Sequence, residues 1–199
     1  GFTRILEEER PNFVHLHAFT PAVSLRLVRL AKQRGIPVVF TYHTPTVSCQ
    51  RGTLMRWGKE VCDGVLREGL CTRCTLHGLG VPRGVCDLVG AVPVSAGSAL
   101  GAAGLSGGIW TALRMRELIS LRHAAFHAFM AEVDHVIAVC EWVRELLLRN
   151  GIPAEKITLS RQGIFPHPYP TGSGSSDRVP YRRGSTVRMA FLGRMDPTK

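Results

Sequence analysis

Apolar residues along the chain change period several times, and each change marks an element. In FVHLHAF, residues 13–19, apolar and polar positions alternate as a strand with one buried face requires, and Pro11 and Asn12 lead into it. The alternation puts His15 and His17 on the same side. In the following segment, TPAVSLRLVRLAKQRG, the period lengthens to that of a helix. Ala22, Val23, Leu25, Leu27, Val28, Leu30 and Ala31 make the apolar stripe. Thr20 is the expected N-cap, Pro21 the first helical residue and Gly35 the stop. IPVVFTYH is then apolar and β-branched almost without a break, as in a parallel strand covered on both faces. Strand, helix and strand at this spacing predict a βαβ unit.

Residues 44–92 lose this periodicity and read as a long insert organised by cysteines. Residues 94–108, VSAGSALGAAGLSGG, are small and expected to be flexible. The helical period returns in IWTALRMRELISLRHAAFHAFMAEV, which predicts one long amphipathic helix over 110–130 with Leu113, Leu118, Leu121, Ala125 and Phe129 on its apolar face. DHVIAV predicts a second buried strand, CEWVRELLLRNG a helix closed by Gly151, and IPAEKITLSRQGI a strand and loop. PTGSGSSDRVPYRRGS has linker composition, and TVRMAFLGRMDPTK opens one more strand. The chain begins in mid-helix at GFTRILEEER, and no internal repeat is evident. The expected fold is α/β, a Rossmann-like parallel sheet with helices on both faces and a cysteine-containing loop insert.

A length of 199 residues suits one sizeable domain and part of another. The composition, 45% hydrophobic and 20% charged, is ordinary for a globular chain. Twenty-five Lys and Arg against fifteen Asp and Glu give a formal charge of +10. That excess suits an anionic partner, whether nucleic acid, an acidic membrane surface or a phosphorylated small molecule, or else it is solvated surface charge. No stretch reaches the roughly 18 uninterrupted apolar residues that a membrane span needs. No basic segment followed by an apolar core marks a signal peptide, so a cytoplasmic location is expected, with the cysteines as thiols or ligands.

Four of the six cysteines fall in the insert. Cys49, Cys62, Cys71 and Cys74 are spaced C-x12-C-x8-C-x2-C, and the last pair has the two-residue gap that lets consecutive thiolates grip one ion. A closed structural zinc site is the expected cofactor, with an iron–sulfur cluster as the alternative and no catalytic metal. Four free thiols or redox disulfides remain the competing explanations. A metal clamp would hold Arg51 and the loop over a neighbouring cleft and would give a polar, Gly-rich loop a reason to be ordered.

The run VDHVIAVCEWVRELLLRNGIPAEKITLSRQGI, a linker, and then RMAFLGRMDPTK resembles the domain junction of retaining glycosyltransferases of family 4. These have two facing Rossmann-like domains, the GT-B fold. The resemblance covers roughly residues 11–43 and 132–199, and some similar transferases also carry a strand ending in His, C-x-R-G, a Cys and a close Cys pair. The chain departs from the pattern at Cys140, where Ser is common, and in SRQG, where many members have Asn-Gly. The resemblance implies an acceptor-side domain over 1–170 with the Cys-rich loop at 44–92, a linker over 171–186, and the truncated first strand of a donor-binding domain over 187–199. The chain alone is then expected to be inactive.

The same resemblance implies a site. Arg194 and Lys199 of GRMDPTK would contact the donor diphosphate, where fixed cations stabilise the charge of the departing group. Arg161 and Gly163 of LSRQGI would lie on the donor side, Arg161 facing the phosphates. His43 ends its strand at the carboxyl-end crevice where ligands of open α/β sheets bind, and would lie near the acceptor and transferred sugar. Where similar transferases often read His-Asp, Thr44 follows here, which removes a carboxylate. The implied partners are a nucleotide sugar and a glycan, lipid-linked or small-molecule acceptor. An anionic membrane surface is a further candidate, through the Arg114, Arg116, Arg122, His123 and His127 side of the long helix, with the protein peripheral at the inner face of the membrane. A basic, metal-stapled nucleic-acid-binding module is the rival from another class, but no aromatic stacking cluster accompanies its arginines, so nucleic acid is not the expected partner. A regulatory relative that binds without transfer is a third reading.

Overall fold

The computed structural model describes residues 1–161 and the backbone of residues 189–192. In chain order, helix α1 (Phe2–Glu9) leads into strand β1 (Phe13–Leu16), helix α2 (Leu25–Lys32) and strand β2 (Val38–Tyr42). The insert follows, with a short hairpin of β3 (Met55–Arg56) and β4 (Glu60–Val61). Helices α3 (Glu68–Gly78), α4 (Arg83–Gly90), α5 (Val94–Ala102) and α6 (Gly108–Leu113) complete it. Helix α7 (Met115–Glu132) returns the chain to the sheet as β5 (His135–Ala138), α8 (Glu141–Arg149) and β6 (Ile157–Leu159), and β7 (Met189–Leu192) joins it last.

The sheet is parallel throughout, in the order β6–β5–β2–β1–β7. Register sets Val14 beside Val38, Leu16 beside Phe40, and Phe40 beside Val136. Val14, Leu16, Val38, Phe40, Tyr42, Val136 and Ala138 therefore share one face, and all are buried. Val28 and Ala31 of α2, Phe126, Phe129 and Met130 of α7, and Val143, Leu146 and Leu147 of α8 join them in one core. The alternate positions Phe13, His15, Val39 and Ile137 are half-buried. The fold is α/β, a Rossmann-like parallel sheet flanked by helices, as the hydrophobic pattern predicts. Residues 189–192, expected to open a second domain, pair here with β1, Leu192 beside Leu16. The linker expected over 171–186 lies outside the described residues.

Three local expectations change. Helix α2 starts at Leu25 with Ser24 in the N-cap position, because Thr20 closes a turn onto Val23 instead of capping. The long helix breaks at Arg114 into α6 and α7, and α7 buries Met115, Ile119, Phe126, Phe129 and Met130 while Leu121 and Ala125 point outward. Its Arg side is not a free cationic face, since Arg114 pairs with Glu117 and Arg116 with Glu68. Residues 94–102, expected to be flexible, form α5. Its small residues serve close packing, for a Cβ on Gly97 would come within 2.8 Å of Glu117 Cβ on α7.

The insert also has apolar cohesion of its own. Leu76, Cys86, Met115 and Ile119 make a second, smaller core, so the segment does not depend on a metal for all its order. Asn150 fastens it to the sheet. Its amide donates to the Gly64 and Leu146 carbonyls and its oxygen accepts from Leu66 N–H at 2.9 Å. Among the described residues no single helix is long and apolar enough to cross a membrane, and α4 with α5 reaches that length only across an 81° bend.

Candidate functional site

The carboxyl ends of β1 and β2 lie side by side near the middle of the sheet, and each carries a histidine just past its last residue. His17 and His43 are hydrogen bonded, Nδ1 to Nε2, at 2.7 Å, with their rings stacked at 5.0 Å between centroids. His15, two residues back on β1, places its ring 4.1 Å from that of His17 and bonds the buried Thr41 hydroxyl through Nε2 at 2.7 Å. The β register explains this last pair, because residues 15, 39 and 41 share a face. The structure thus brings His43 together with both histidines of the neighbouring strand.

Electrostatics favour the neutral form of His15 and His17. Burial lowers the His15 pKa, and the neighbouring His17 and His43 rings lower it further. Burial and then His43 act on His17 in the same direction. A neutral imidazole offers one donor and one acceptor, which suits it to ligand hydroxyls that both give and take hydrogen bonds. Thr41 was not legible as part of this set, because a threonine in an apolar strand reads as an ordinary β-former.

Arg161 is exposed and stands 3.5 Å from the Glu141 carboxylate at the start of α8. Gly163, Arg194 and Lys199 lie outside the described residues.

The four cysteines of the insert line a single cavity of about 40 Å³, which Arg51, Arg56 and His123 also line. Cys49 follows the 3-10 turn Pro45–Val47, Cys62 follows β4, and Cys71 and Cys74 stand on one side of α3, one turn apart. All four are free thiols. Burial pushes the Cys71 thiol up to about 11, and charge on Cys62, Cys49 or Cys74 would push it in the same direction, against a hydrogen bond with the Arg67 backbone. Among the described residues no three His, Cys, Asp or Glu side chains are arranged to hold a metal ion as they stand. Arg51 does not reach over the histidine crevice. Its guanidinium turns into the insert, 3.4 Å from the Met55 carbonyl and 3.6 Å from Cys74 Sγ, close enough to α3 that a Cβ on Gly78 would strike it.

The family model described as Glycosyltransferase Family 4 matches residues 1–166. No curated protein and no solved structure matches the chain.

Proposed function

Because the chain belongs to glycosyltransferase family 4, we propose that it is the acceptor-side domain of an enzyme that moves a sugar, with retention, from a nucleotide-sugar donor. The receiving group is a hydroxyl on a glycan, a lipid-linked or a small-molecule acceptor. The observation that carries the site is the His17–His43 pair at the carboxyl ends of adjacent parallel strands, where open α/β sheets bind their ligands. In transfer, the bond from the sugar carbon to the donor diphosphate breaks and a bond to the acceptor hydroxyl forms, while the hydroxyl proton passes to the departing phosphate. His43 would hold the sugar or acceptor by hydrogen bonding, and Arg194 and Lys199, with Arg161, would carry the cationic charge that stabilises the leaving diphosphate.

Three arginines of the insert are engaged within it, which favours the sugar-transfer reading over a nucleic-acid grip. Arg51 faces Cys74, Arg67 pairs with Asp63 and Arg73 with Asp87.

The test is made on the open reading frame in which this chain lies, incubated with a panel of sugar nucleotides and hydroxyl acceptors, with nucleoside diphosphate release and the anomeric configuration of the product as readouts. Transfer with retention is expected without added divalent metal. Arg194→Ala should lower turnover about a hundredfold, the scale for one preorganised charge donor. Undiminished turnover in that variant, or no reaction with any sugar nucleotide, overturns the reading.

A further inference from the structure

None of His15, His17 and His43 lines the cysteine cavity. We propose that Cys49, Cys62, Cys71 and Cys74 close on one zinc ion, forming a tetrathiolate site that locks the insert to the sheet domain. The four donors come from three separate segments, the loop after Pro45–Val47, the strand end after β4, and α3, yet all face one cavity. Cys49 and Cys62 pack against the main core, whereas Cys71 packs against the smaller one built by Leu76, Cys86, Met115 and Ile119. An ion held between them cross-links the two cores.

A cavity of about 40 Å³ leaves room for a single ion among the four cysteines. The charge of its walls selects a thiolate site over thiols. Each cysteine releases its proton to solvent as it binds, so four thiolates around Zn²⁺ carry a net charge of about −2. The cavity is already walled with positive charge. Arg51 Nη1 lies 3.6 Å from Cys74 Sγ, and Arg56 has a buried Nε without a hydrogen-bond partner. Arg122, next to Cys49, has the same unpartnered Nε. Arg51 donates to the Met55 carbonyl, Arg56 pairs with Asp63 at 3.9 Å and Arg122 donates to the Thr46 carbonyl, yet the buried Nε atoms of Arg56 and Arg122 stay without a partner, and a dianionic centre would bring them the opposite charge they lack. As they stand the four thiols are not arranged to hold an ion, so binding requires them to draw together, by rotation about χ1 on the two loop cysteines and on α3. Four protein ligands leave no coordination position for substrate, so the site is structural.

The experiment uses the 199-residue chain, reduced and stripped of metal with a chelator, and titrates it with cobalt(II) as a spectroscopic probe. Uptake of about one equivalent is expected, with strong thiolate-to-cobalt absorption and the visible bands of tetrahedral cobalt, both abolished when zinc displaces it. Zinc should also protect four thiols from alkylation while Cys86 and Cys140 react as before. Cys49→Ser and Cys71→Ser should each weaken cobalt binding at least tenfold; should either fail to fold, the wild-type titration and the thiol protection still decide. Absence of a tetrahedral thiolate spectrum in the reduced wild type overturns the site, as does equal alkylation with and without zinc. Disulfides among the four, in a protein whose reduced form takes up no metal, overturn it as well.

Discussion

His17 Nδ1 and His43 Nε2 are 2.7 Å apart, so two imidazoles 26 residues apart in sequence share one hydrogen bond at the rim of the sheet. Only one of the two nitrogens can carry the proton in that bond. Doubly protonated rings on both sides would set N–H against N–H, and the arrangement therefore opposes a second positive charge.

This opposition gives a pH dependence with a definite sign. His15 and His17 titrate below the ordinary value of 6.5 in the folded chain and near it when unfolded. Between their folded pKa values and 6.5 the unfolded chain binds more protons, so stability is fully present above 6.5 and is lost as pH falls through that window. The melting temperature should drop from pH 7.5 to pH 5, and imidazole C–H resonances of these residues should titrate with midpoints below 6.5. A His17→Gln variant should flatten the acid limb; an unchanged pH profile would show that the cluster is not coupled to folding.

His43 itself separates site from scaffold. In the reading frame assayed for transfer, His43→Ala should cut turnover by about a hundredfold. Its melting temperature should stay within a few degrees, since His43 is only half-buried. Loss of stability with full activity per folded molecule would make the residue a strand-end support only.

The path from sequence to this site was short where the chain follows a regular period. β1, β2 and β5 were legible because Val14, Leu16, Val38, Phe40 and Val136 sit in apolar runs, and His43 stood out at the end of its strand, whereas the register that brings His17 to it is a property of the fold. The insert was not legible. Helix α3 buries Thr72, Thr75 and Leu76 instead of a continuous apolar stripe, and α5 packs through Gly97 and Gly101 while its alanines stay exposed, so neither shows an amphipathic period. The apolar face of α7 was misassigned because Leu121 and Phe126 are equally hydrophobic, and only the position of the sheet decides which turns inward. Arg56 gave no signal at all, since its burial arises from a hairpin that only the fold reveals.

Asn150 tests how the insert is fastened. Asn150→Ala removes three hydrogen bonds at once and leaves the Leu66 N–H and the Gly64 carbonyl without their partner. Each buried group so orphaned costs about 1–3 kcal/mol. Chemical denaturation should show a loss of about 2–4 kcal/mol, and amide exchange should rise first at residues 64–66. A loss confined to α8, with residues 64–66 still protected, would assign the fastening to another contact.

Gly64 and Gly35 form a pair that isolates packing from backbone strain. Both have positive φ, 75° and 70°, so alanine carries a similar left-handed penalty of about 1 kcal/mol at either site. Their surroundings differ. A Cβ on Gly35 meets nothing within 4 Å, whereas one on Gly64 would lie 2.5 Å from Leu146 Cδ1 and 2.8 Å from its Cγ. Leu146 is buried in the main core and has little room to give way. Gly35→Ala should therefore destabilise the chain by about 1 kcal/mol, and Gly64→Ala by about 2–4 kcal/mol once overpacking is added. The excess belongs to contact with Leu146, so combining Gly64→Ala with Leu146→Ala should cost less than the sum of the two single changes. Equal losses at Gly64 and Gly35, or strict additivity in the double variant, would mean that the insert does not press against α8 at this point.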